Sequence, residues 1–92
     1  MIEMHRKKIY MDVSSPGDFM WASIAGQKDI ILAVPSKNEI GFAIARLPVT
    51  TEAASDGVWH WDGDEERPTL SPSVHTLGHW HGWVRNGQMV EA

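Results

Sequence analysis

The residue types best suited to chemistry gather in two stretches near the end of the sequence. These are Thr69-Leu70-Ser71-Pro72-Ser73-Val74-His75 and Gly78-His79-Trp80-His81-Gly82-Trp83. In an extended chain alternate side chains share a face. Thr69, Ser71, Ser73 and His75 then point one way, and Leu70 and Val74 the other. A serine becomes a useful nucleophile only when a base removes its proton, and neutral imidazole is the natural acceptor near pH 7. The row of hydroxyls therefore reads in two ways: as the solvent face of an edge strand, or as a nucleophile presented to a histidine. Pro72 removes one backbone donor and confines its segment to an edge or a bulge, and it holds Ser71 extended. Neither Gly-x-Ser-x-Gly nor Ser-x-x-Lys occurs, so there is no nucleophile elbow.

The histidines allow a second chemistry. On a strand, His79, His81 and Trp83 share a face opposite Trp80. Two histidines at this spacing can chelate zinc or another transition metal, with His75 or His60 as a third ligand. No acidic residue lies within the cluster, and one of the pair could equally serve as a general base. The plainer reading packs both rings on tryptophan faces. In Trp59-His60-Trp61 the two indoles share a face and His60 takes the other. Paired tryptophans fill cores or form ligand platforms; as platforms, Trp59, Trp61 and Trp83 are the substrate-binding candidates. Six acidic residues and no basic one lie between Glu52 and Glu66. That run reads as a solvated loop or a weak cation site, without the spacing of an EF-hand, and it argues against a phosphate backbone as partner.

Ninety-two residues must position these groups, which is room for one domain with a thin core. A small domain without staples often gains stability by self-association, so a homodimer is expected. Apolar residues at 42% and charged residues at 22% are ordinary for a globular chain. A net charge of −4 argues against a general nucleic-acid surface. No apolar run is long enough to span a membrane, and the basic start from Met1 to Lys8 lacks the apolar stretch of a secretory signal. The cytoplasm is the expected location. The absence of cysteine excludes disulfides, thiolate zinc sites and a cysteine nucleophile.

The pattern predicts a mainly β or α+β fold: a small antiparallel sandwich or rolled sheet with at most one short helix. Lys8–Val13 alternates like a strand, and Asp18–Ala25 reads as a short helical turn capped by Asp18 and closed by Gly26. Asp29–Val34 and Ile40–Leu47 read as a hairpin buried on both faces. Val58–Asp62, Thr69–Thr76 and Gly78–Val84 complete the strands. Asn86-Gly87 predicts a type I′ turn, because both central residues need positive φ. It would pair Arg85 with Gln88, Val84 with Met89 and Trp83 with Val90, and bring His81 opposite Ala92.

The string from Trp59-His60-Trp61-Asp62-Gly63 through Pro68-Thr69-Leu70-Ser71-Pro72-Ser73-Val74, followed by Trp80-His81-Gly82-Trp83-Val84-Arg85-Asn86-Gly87, resembles a family signature. The family comprises small phage- and prophage-associated proteins, with a pattern W-x-W-x-G, then P-T-x-x-P-S, then a histidine strand ending in a turn. Its relatives in bacterial ubiquitin-like conjugation operons, the BubE-like proteins, are described as peptidases. The resemblance covers about the last third of the chain. Many members carry a Cys-Pro-x-Cys stretch and a Cys-His pair; here Trp80 stands where that cysteine would be, so a cysteine-dependent metal site is missing. The resemblance implies Ser73 as nucleophile, His81 as base and Glu66 as orienting carboxylate, acting on a ubiquitin-like tail in a bacterial host. The same scaffold without activity would be a phage accessory or protein-interaction module, since fold does not imply function.

Overall fold

The structure is a computed structural model describing residues 1–92. In chain order its strands are β1 (Ile2–Glu3), β2 (His5–Arg6), β3 (Asp18–Ile24), β4 (Gln27–Pro35), β5 (Phe42–Thr50), β6 (Trp59–Trp61), β7 (Leu70–Ser71), β8 (Val74–Thr76), β9 (Trp80–Arg85) and β10 (Gln88–Glu91). One 3-10 turn, Tyr10–Asp12, is the sole helical element. The fold is mainly β, as the patterning predicts.

Two sheets share one core. The first runs in the order β2-β3-β4-β5-β6-β7 and the second β1-β10-β9-β8. Phe19, Ile30, Leu32, Val34 and Leu47 enter the core from the first sheet, and Val74, Trp80, Val84 and Met89 from the second. Burying a large apolar side chain of this kind contributes about 1.5–3 kcal/mol. The chain passes between the sheets at Met4 and again at Pro72-Ser73. Pairing is antiparallel apart from the parallel neighbours β2–β3 and β5–β6.

The six-stranded sheet curls. Arg6 on its first strand reaches Glu65 and Glu66 in the turn before its last, at 3.1 and 2.7 Å. Trp21 on β3 meets Trp61 on β6 with ring centroids 4.6 Å apart, although two strands separate them. Lys28 lies over both indoles and pairs with Glu65.

Several expectations are corrected. Lys8–Val13 is not a strand: Ile9, Tyr10 and Met11 are exposed around the 3-10 turn. Asp18–Ala25 is not helical but forms most of β3, pairing with β4 from Phe19↔Leu32 to Ile24↔Gln27. Asp18 does act as a cap, but of a turn: its carboxylate accepts the N–H groups of Ser14 and Ser15. β4 is buried from Asp29 to Val34, whereas β5 buries mainly Ala45, Leu47 and Val49, on one face. Thr69–Thr76 is broken by Pro72 into β7 and β8, which belong to different sheets.

Candidate active site

The predicted Asn-Gly turn sets the register of the site. Asn86 and Gly87 both have positive φ, 49° and 74°. Gln88↔Arg85, Met89↔Val84 and Val90↔Trp83 pair as the turn requires, and the Ala92 N–H donates to the His81 carbonyl at 2.9 Å. Trp80, Gly82 and Val84 consequently face the core, while His81, Trp83 and Arg85 face outward. Gly82 is required here: a Cβ would lie 2.4 Å from the Trp80 indole and 2.3 Å from the Val90 carbonyl.

β8 pairs antiparallel with β9, setting His75 opposite His81 with ring centroids 4.7 Å apart. Ser73, in the link just before β8, therefore falls on the same outer face, diagonal to His81. Its hydroxyl lies 3.2 Å from His81 Nε2. For Nε2 to accept the hydroxyl proton, the ring proton must sit on Nδ1. The link is tied from behind: Trp59 Nε1–H donates to the Ser73 carbonyl at 3.2 Å. The Ser73 N–H itself donates to no protein acceptor. His81 and His75 are exposed and Ser73 is half-buried, so the hydroxyl and both rings are open to a substrate. Trp83 flanks His81 at 6.3 Å, with the Arg85 guanidinium over its ring, 4.8 Å from the centroid.

The other candidate residues lie elsewhere. Glu66 is hydrogen-bonded to Arg6 and has no hydrogen bond to His81; no carboxylate bonds His81 Nδ1. Trp61 is buried in the core, its N–H given to the Asp64 carbonyl. Trp59 packs against the core and Trp83 is half-buried on the outer sheet face. His60 Nδ1 is 2.7 Å from the Glu52 carbonyl. His79 leaves the strand face for the β8–β9 turn, where its Nδ1 lies 2.7 Å from the Ser36 hydroxyl on the β4–β5 turn. No group of three or more histidine or acidic side chains is gathered to hold a metal: of the three candidate ligands, His75 and His81 lie together and His79 lies apart on Ser36.

The end of the acidic run, Glu65 and Glu66, collects basic side chains, while Asp62 and Asp64 accept backbone N–H groups within the turn. The Lys28 ammonium, with help from Arg6, holds the Glu65 carboxyl below its ordinary value. Two backbone N–H groups, from Arg67 and Glu66, do the same for Asp64. The Glu66 hydrogen bond raises Arg6. Sequence reading missed the Ser36–His79 pair, the Lys28 contacts and the Trp59 tether. Their partners are far apart in the chain and carry no spacing signal. The two surface hollows, of about 450 and 280 Å³, contain neither Ser73 nor His81.

The structure is that of a small all-β protein with a hydroxyl within reach of an imidazole on an outer sheet face. Residues 41–92 match a family described as the bacterial ubiquitination-like system serine protease (BubE), and the chain belongs to that family. The match spans β5 to β10 and so includes Ser73 and His81. No curated protein and no solved structure matches the chain.

Proposed function

We propose that this protein is a serine peptidase that uses a Ser73–His81 dyad to cut a peptide bond at the tail of a ubiquitin-like protein. The observation that carries the reading is the 3.2 Å approach of the Ser73 hydroxyl to His81 Nε2 within the segment matched to a serine protease family. Ser73 Oγ attacks the scissile carbonyl as His81 takes its proton. His81 then returns the proton to the leaving amine, which departs and leaves an acyl ester on Ser73. Water, deprotonated by the same imidazole, hydrolyses the ester. The unpaired Ser73 N–H is available to the oxyanion that develops. The shallow, open surface suits a flexible tail rather than a folded segment.

One observation favours a second reading, a phage accessory or protein-interaction module without activity. No carboxylate orients His81, and losing that group from a triad costs about 10⁴-fold in turnover. A fluorophosphonate probe decides between them. The dyad requires covalent labelling at Ser73, absent in Ser73→Ala and slowed about 10²–10⁴-fold in His81→Ala. Equal labelling of all three proteins, or none of the wild type, overturns the assignment.

A further inference from the structure

We propose that Trp83 and Arg85 form an anion-binding subsite that takes an acidic side chain of the peptide substrate, about two extended residues from the scissile bond. This rests on the peptidase reading for its role, but the anion site stands on its own geometry. Of the four arginines, Arg6 binds Glu65 and Glu66, Arg46 binds Asp29, and Arg67 binds Glu3. Arg85 has no carboxylate. It is exposed, yet its guanidinium lies over the Trp83 indole, 4.8 Å from the ring centroid. The cation–π contact positions the guanidinium while leaving N–H donors free for an anion.

No acidic side chain of the molecule is placed to meet those donors. Glu3, reached across Gln88 on β10, is already bound by Arg67 at 3.5 Å and Gln88 at 3.0 Å. Glu91 pairs with the inward-facing Gly82 and so lies on the opposite side of the sheet. The complementary charge must therefore come from a ligand. His81, Trp83 and Arg85 share one face of β9, and the β8–β9 register sets Ser73 level with Trp83, so Arg85 lies two residues, about 7 Å, along the strand from Ser73. An extended peptide with its carbonyl at Ser73 covers that distance in about two residues, passing the Trp83 ring with Val90 beside it.

The test uses C-terminally amidated decapeptides of fixed apolar sequence, each carrying one Glu or one Lys walked through the positions. Binding to the full-length Ser73→Ala protein is followed by NMR at the Trp83 indole, and cleavage is measured with the wild type. The Glu peptides are expected to bind about fivefold more tightly than the Lys peptides at the matching position. Arg85→Ala should erase that difference, and Arg85→Glu should reverse it. Equal binding of the two series, or a preference that survives Arg85→Ala, overturns the subsite. Arg85-dependent binding with no cleavage overturns the dyad and leaves the anion site. Cleavage indifferent to Arg85 does the opposite.

Discussion

Trp59 is the side chain on which the Ser73 assignment turns most directly. Its indole N–H holds the Ser73 carbonyl while His81 holds the hydroxyl, so Ser73 is fixed at both ends. Trp59→Phe keeps the ring and removes one hydrogen bond, a cost of about 1 kcal/mol in stability. Misplacing a reacting group by about 1 Å can cost 10²-fold in rate. The expected result is a fall in kcat of about tenfold to a hundredfold with KM little changed. A rise in KM alone would instead make Trp59 a substrate platform. At this scale Ser73 and His81 were named by the family resemblance, but that they meet depends on the β8–β9 register, which alternation along each strand does not fix. Nor were the surroundings legible. Glu66 is drawn to Arg6, sixty positions away, and no local pattern announces that distance.

Among the elements, the β9–β10 hairpin was readable to the residue, because positive φ at Asn86 and Gly87 leaves one register. β3 was misread for a physical reason. Asp18 before a short apolar run and Gly26 after it mimic a helix with both caps, yet Ala25 and Gly26 both take positive φ and turn the chain back into β4. Tertiary pairing overrode a weak local preference. Pro72 was seen as an edge signal, but its switch of sheets depends on a core that no single segment encodes. Gly82 shows how tightly β9 is packed. Gly82→Ala would drive a methyl into the Trp80 ring and the Val90 carbonyl. Overpacking of this sort costs about 1–3 kcal/mol. Urea denaturation should show that loss, with reactivity at Ser73 falling as the strand shifts; unchanged stability would mean that Trp80 has room to move.

Over the whole molecule, the curl of the six-stranded sheet is fastened by charge. Lys28, Arg6, Glu65 and Glu66 join its two ends, with Trp21 and Trp61 beneath Lys28. Glu65 and Asp64 are held below their ordinary values of 4.5 and 3.8. Groups with depressed values in the folded state stabilise it fully above those ordinary values and lose the contribution as pH falls through the lowered ones. The urea midpoint should therefore decline as pH drops below about 4.5, and Glu65→Gln should flatten that decline. These pairs are exposed and screened, so added salt should weaken the effect; a midpoint independent of pH in the wild type would remove the clasp from the account.

Ser73 and His81 stand eight positions apart in the chain, joined through β8 and the turn that follows it. Most hydrolytic sites bring their groups from distant parts of a sequence, so that the fold must be complete before they meet. Here the hydroxyl and the imidazole travel together as one short cassette, and the rest of the domain serves as its mount. An isolated hairpin is only marginally stable in water. The cassette is accordingly inert as a loose peptide and portable as a graft. Moved onto another antiparallel sheet with an indole behind the serine, it would carry its reacting geometry with it.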